Sequence, residues 1–370
     1  MKKNILLVSL IIFLSSSNLF SQWVSPGNNS SYTLDELVAV SGGVVTLEAG
    51  TYHFNAALTL SESDTINIFN DGLLIIHENI LWTVEGVLII DPPSLFQIQK
   101  PTDENNFQGI RFDNSSASNI NKVMMTGCGG VKLVDSDLEI KNCDFSYFGQ
   151  EYTTAAVDLF HSNPLIRDCS FISNAGPAIA SGANGESSPQ IINNILSFNV
   201  TSNSNTPQIN LGTSDGLQAI LIDSNHVYGQ YDMAGGIAIS NLVGGSASVV
   251  VTNNDITLNR YGIAMIGTNI TSVISHNSIV QNDIQGDPML GGSGINFYGD
   301  ETNISTVSYN HISRNLWGVT IQLNAQPNLG DDSGLSPGHN IIILNENSFQ
   351  IYGLYNNTPG DIMALNNFWG

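Results

Sequence analysis

Two groups of side chains in this 370-residue sequence have residue types and spacing suited to chemistry on a sugar. The first is Lys141 and Arg167, with Asp135, Asp137, Glu139, Asp144 and Asp168 close by in sequence. Such carboxylates are hard oxygen ligands for Ca²⁺. A bound Ca²⁺ would neutralise a uronate and acidify its C5 proton, and an unprotonated Lys141 or Arg167 would remove that proton. The competing reading is a stack of surface charges forming ordinary ion pairs. The second group is His226, Asp255, His276, Tyr309 and His311. If they share one face, they make a saccharide groove with an acid/base pair within hydrogen-bonding reach; otherwise they are a solvated polar face. No aligned pair of carboxylates stands at the separation that glycoside hydrolysis needs. No tight His/Asp/Glu spacing supports a zinc centre. The one Asp-Asp pair, Asp331-Asp332, lies in a glycine-rich turn and reads as a loop.

What would bring these groups together is a repeated phrase. An aliphatic residue is followed three positions later by Asn, two later by a second aliphatic, and three later by a second Asn. Val251, Asn254, Ile256 and Asn259 show it, as do Ile274, Asn277, Ile279 and Asn282. Val307, Asn310, Ile312 and Asn315 repeat it, and Ile191, Asn194, Leu196 and Asn199 do so upstream. Ile166, Cys169, Phe171 and Asn174 keep the frame with Cys in the first polar slot, as Cys143 does one unit earlier; Ile222, Asn225 and Val227 fit with Gln230 last. The first polar slots, 143, 169, 194, 225, 254, 277 and 310, are separated by 26, 25, 31, 29, 23 and 33 residues. A unit of this size with variable insertions marks a solenoid.

The aliphatic positions are rich in β-branched residues and lack helical spacing, and turn formers punctuate each unit. Short strands of successive units should pair in parallel at about 4.8 Å. Asn194, Asn225, Asn254, Asn277 and Asn310 should then stack as one amide ladder, and Asn174, Asn199, Asn259, Asn282 and Asn315 as another. Asn suits the left-handed backbone of such bends. Cys143 and Cys169 should stack inside as free thiols, away from Cys128.

Composition sets outer limits. The net charge is −22 with 11% charged residues, which excludes nucleic acid and anionic membrane surfaces as partners. Residues 1–22 read as an export signal: Lys2 and Lys3 precede an apolar core too short to span a bilayer. The mature chain is expected to be a secreted or cell-surface, bacterial, monomeric protein without a membrane span.

Residues 23–110 keep the β pattern with a different rhythm and read as an N-terminal cap plus first coils; residues 111–370 read as regular coils. Thr33 with Glu36 forms a capping box that opens a short helix over the end of the solenoid. The Asn phrases, the strand Phe107-Gln-Gly-Ile-Arg-Phe112 and the closing Asn367-Phe-Trp-Gly370 resemble the right-handed parallel β-helix proteins of the pectin lyase-like superfamily, in particular exported members of Bacteroidetes type. The resemblance implies an all-β, right-handed parallel β-helix of roughly a dozen coils with an N-terminal cap. It also implies a scaffold shared by many activities. The superfamily's hydrolase signature, paired aspartates followed by Gly-His-Gly, is absent, and Gly338-His339 leads into Asn. The expectation for function is a non-catalytic scaffold binding a polysaccharide or cell-surface glycan, or mediating adhesion. The alternative is a Ca²⁺-dependent polysaccharide lyase, or a related glycan-cleaving enzyme, using Lys141 and Arg167. Aromatic residues, among them Tyr152, Tyr261, Tyr309 and Trp317, recur near the bends and read mainly as end packing.

Overall fold

A computed structural model describes residues 22–370, so the expected export signal lies outside the described residues except for Gln22. Three long sheets run the length of the molecule. The chain visits them in turn: a first sheet of 13 strands, a second of 12 and a third of 14. Every strand in the regular part pairs in parallel with its counterpart one coil before and one coil after. Val251, for example, is in register with Ile222 on one side and Ile274 on the other. Among the described strands, antiparallel pairing is confined to two hairpins, Val45–Glu48 with Thr51–Phe54 near the start and Glu346–Asn347 with Gln350–Ile351 near the end.

Alternation along each strand sends one residue inward and the next outward. The inward set, such as Ile222, Val251, Ile274 and Val307, is wholly buried and forms one continuous core. Each such side chain contributes about 1.5–3 kcal/mol by leaving water. The N-terminal end of that core is covered by the helix Leu34–Val40. Thr33 caps it: its hydroxyl accepts from the Glu36 amide at 3.3 Å while Glu36 accepts from the Thr33 amide at 2.7 Å. Leu34 and Leu37 are buried beneath it. Asp64 fastens the adjoining loop, accepting from the amides of Gly27, Asn28 and Ser30.

The bend between the second and third sheets carries the first amide ladder. From Asn194 through Asn225, Asn254, Asn277, Asn310 and Asn340 to Asn367, each side-chain amide donates to the next at 2.8–3.0 Å. The residue before each rung is left-handed: Asn193, Ser224, Asn253, His276, Tyr309 and His339 have φ of 53–58°. For His and Tyr this costs about 1–2 kcal/mol, which the buried ladder offsets. Cys143 and Cys169 occupy the earlier rungs, and both are buried free thiols. Burial, then the neighbouring Cys143, pushes the Cys169 thiol well above its ordinary range, which leaves it unreactive.

The second ladder corrects one expectation. Asn174 donates to Asn199 at 2.7 Å, and Asn259, Asn282, Asn315 and Asn345 continue the column. Between the two runs Gln230 points to solvent. The rung is supplied by Gln208, whose oxygen accepts from Asn199 and whose amide donates to Asn259, both at 2.9 Å. The reason is local. Ser173, Phe198, Leu258, Gln281 and Arg314 turn the chain inward with φ of 55–58°, and Gly229 in the same place does not. Gln208 stands in the first-sheet slot that Gly236, Gly262, Gly294 and Gly318 fill in later coils. A Cβ on Gly262 would lie 2.5 Å from Ile279 Cγ2 and 3.4 Å from the Asn282 amide. A side chain in that slot points straight at the ladder, and Gln208 is long enough to join it.

Candidate functional site

The first expected group is dispersed by the bends. Lys141 and Arg167 are in register on the outer face of the second sheet. Both are engaged. Lys141 donates to Glu139 at 2.8 Å, and Arg167 donates to Glu139 at 3.1 Å and to Asp168 at 2.9 Å. Hydrogen bonding to Glu139, then to Asp168, raises the Arg167 guanidinium above its ordinary value, and the same contacts, led by Lys141, hold Glu139 below its own. These contacts favour the charged forms of Arg167 and Glu139, the opposite of what proton abstraction by Arg167 needs. The proposed Ca²⁺ ligands do not converge either. Asp135 follows a first-sheet strand and faces His161 at 3.6 Å. Asp137 accepts from the Asn163 amide, Glu139 is spent on the two cations, Asp144 is exposed on the third sheet, and Asp168 accepts from Asn193 at 2.6 Å. Among the described residues no three His, Cys, Asp or Glu side chains gather into a metal-holding set.

The second expected group separates into two columns. His226, Asp255, Ser278 and His311 are successive rungs on the third sheet, with His226 Nδ1 3.7 Å from Asp255. His276 and Tyr309 stack in the bend at 4.9 Å, and His339 continues the stack at 5.3 Å. The His226 and Asp255 side chains are 63% and 51% exposed, so this edge is an open ridge and not a groove.

The concave surface lies on the outer face of the first sheet. One in-register column runs Arg111, Lys132, Asp158, Ala180, Asn210, Ala238, Ala264, Asn296, Thr320 and Tyr355. These residues point away from the core, yet Asp158, Ala180, Ala238, Ala264 and Thr320 are buried. Walls on either side shelter them, and the small residues make a low floor.

Two hollows open on this column. The N-terminal one, of about 520 Å³, is lined by Arg111, Lys132, Gln150, Tyr152, Thr154 and Asp158 among others. Lys132 is ion-paired to Asp158, and Thr154 donates to the same carboxylate at 3.2 Å. Arg111 donates to Asp113 at 2.7 Å; its guanidinium is raised above its ordinary value, first by the neighbouring Tyr152 phenol and then by Asp113. The C-terminal hollow, of about 570 Å³, is walled by the segments around Asn205, Arg260 and Pro288–Gly291, with Trp317 and Tyr355 at its far end. Arg260 ties three coils together, donating to the Leu290 carbonyl and to Asn205. Trp317 Nε1 donates to the Pro288 carbonyl at 3.0 Å, and its ring packs 5.0 Å from Tyr355. Tyr261 is half-buried with its phenol turned over Gly235, where a Cβ would lie 2.2 Å from the ring; burial pushes the phenol up to about 12. Sequence reasoning noted Tyr152, Tyr261 and Trp317 but had no register by which to place them over one floor.

The profile described as right handed beta helix region matches residues 136–304. The chain folds as a right-handed parallel β-helix. Two solved structures of mutants of the periplasmic alginate epimerase AlgG share the fold of this β-helix. A single mutant superposes with a TM-score of 0.61 at 12% identity, and a double mutant with 0.59 at 13%. Each alignment covers 92% of the present β-helix and 84% of the epimerase chain. No curated protein sequence matches the β-helix. Among the described residues no helix is long and apolar enough to cross a membrane.

Proposed function

We propose that this β-helix is an exported, non-catalytic scaffold that holds a polysaccharide along the outer face of its first sheet. The observation that carries the reading is the sheltered column from Arg111 to Tyr355. It advances nine strand steps, about 43 Å at the parallel strand spacing, and so presents a linear track to a linear polymer. Its floor is low and its lining mixes amides, hydroxyls and aromatic rings, the set that binds sugars by hydrogen bonding and stacking. Support for a glycan ligand also comes from the shared fold with an alginate epimerase, and support for export from that epimerase's periplasmic location and the apolar leader.

Affinity electrophoresis through gels containing alginate, pectin, mannan or a β-glucan tests the reading. Retardation by at least one polymer is expected. Ala238→Trp, which raises the floor of the track without touching the core, is expected to abolish it while the far-UV spectrum stays unchanged. Unretarded migration in every gel overturns the proposal.

A second reading rests on the N-terminal hollow. There Arg111, Lys132, Tyr152 and Asp158 bring titratable groups to the same track. Arg111 and Lys132 are held in ion pairs, which leaves the Tyr152 phenol as the group to move a proton at a uronate, the role expected from sequence of Lys141 and Arg167. Absorbance from unsaturated products on alginate and pectin, with and without added Ca²⁺, tests it. Product that disappears in Tyr152→Phe replaces the non-catalytic reading.

A further inference from the structure

We infer that the C-terminal hollow is a subsite for an uncharged saccharide, held by ring stacking and amide hydrogen bonds; the inference rests on the groove reading above. Charge differs sharply between this hollow and the rest of the surface. The protein carries a net charge of −22, yet among the described residues no Asp, Glu, His or Lys lines this hollow. Its one charged liner, Arg260, is committed to the wall through the Leu290 carbonyl and Asn205. A polyanion entering here would meet no free cation and would be repelled by the acidic surface around it. An acid- or base-driven reaction would find only the Tyr261 and Tyr355 phenols, and burial pushes that of Tyr261 up to about 12.

What the hollow does offer is suited to neutral hydroxyls. Thr320 donates to the Asn296 oxygen at 2.7 Å, which fixes that amide with its Nδ2 as the donor left for a ligand. Ser293 shares a 3.0 Å bond with Thr320 and holds the hydroxyl in place. Tyr355 is 39% exposed, and its ring, packed at 44° against that of Trp317, offers an aromatic face to the track where its polar floor ends. Stacking there uses the C–H face of a sugar ring and calls for no charge on it. The wall is built in advance by Arg260 and by the Trp317–Pro288 bond, so binding does not have to order it.

Isothermal titration with neutral oligosaccharides of glucose, mannose and xylose, and with an oligouronate of matched length, tests the inference. At least one neutral probe is expected to bind, to keep its affinity in about 0.5 M NaCl, and to lose about tenfold in Tyr355→Ala. Trp317→Phe is expected to fall between Tyr355→Ala and the parent protein, and its thermal melt reports whether the wall survives. If only the oligouronate binds, or if salt abolishes binding, the uncharged-ligand inference fails while the groove stands. It fails in the same way if a neutral probe binds but is insensitive to Tyr355→Ala. If no probe binds and no polymer retards the protein, both readings fall.

Discussion

The inner side of the bend between the second and third sheets and the outer face of the first sheet are built on one register and use it in opposite ways. At the bend, each rung repeats its neighbour: Asn254, Asn277 and Asn310 have the same partners at nearly the same distances. On the outer face the register is equally strict but the residues change from Arg111 to Ala180 to Asn296 to Tyr355. Inside, a rung must pair whatever its type, and even the exceptions, Cys169 and Gln208, bond their neighbours. Outside, solvent forgives the difference, so that is where a surface can be shaped for a ligand.

Breaking the repeat from within should have the largest effect. Asn277→Ala removes the acceptor of both the Asn254 amide and its side chain, and is expected to cost about 2–4 kcal/mol, read as a drop in urea midpoint. Gln208→Ala interrupts the other ladder where it is already spliced. Here about 1–3 kcal/mol is expected, since Asn199 and Asn259 each lose one partner. An unchanged midpoint in this variant would mean that Gln208 fills space without joining the column.

Acid should open the capped end. At Asp64 desolvation favours the protonated form, but hydrogen bonds from Ser25 and from the Gly27, Ser30 and Asn28 amides outweigh it and hold the carboxyl below the usual range. Its contribution is therefore complete above the ordinary carboxylate pKa and is lost as pH falls through the lowered value. Near-UV dichroism on acidification should show Trp23 and Tyr32, in edge contact at 5.7 Å near this end, released at higher pH in Asp64→Asn than in the parent. The smallest effect is expected outside: Arg167→Ala, at an exposed ion pair, should leave the melting temperature within error. A large drop there would show that the outer face of the second sheet is not the permissive surface its ion pairs suggest.

How much the sequence discloses follows from the same contrast. The ladders, the buried Cys143 and Cys169 and the cap at Thr33 are legible because each is a local phrase or a fixed offset. Asn340-Ile-Ile-Ile-Leu-Asn345 carries the five-residue offset of the other rungs, so Asn340 and Asn345 were within reach of the same rule. Gln208 was not, because its partners Asn199 and Asn259 belong to other strands and it skips a coil. The sheltered column was hidden for a related reason. The segments that wall it vary in length, and the offset from Lys132 to Asp158 or from Ala264 to Asn296 is set by those insertions. Lys141 and Arg167 drew attention because they sit at constant offset from the ladder, and that constancy reports register, not chemistry.

The amides of the first ladder all face one way, each Nδ2 directed toward the following coil. Such a column is polar, like a row of magnets, and an unfilled pole would invite another chain to extend it. Asn367 keeps the bonds to the preceding coil and to the carbonyl two residues back that other rungs make, here Leu329 and Leu365, and gives Ala364 the place that the next amide has elsewhere. The same polarity makes the stack easy to lengthen coil by coil, since each new rung finds an amide already aimed at it.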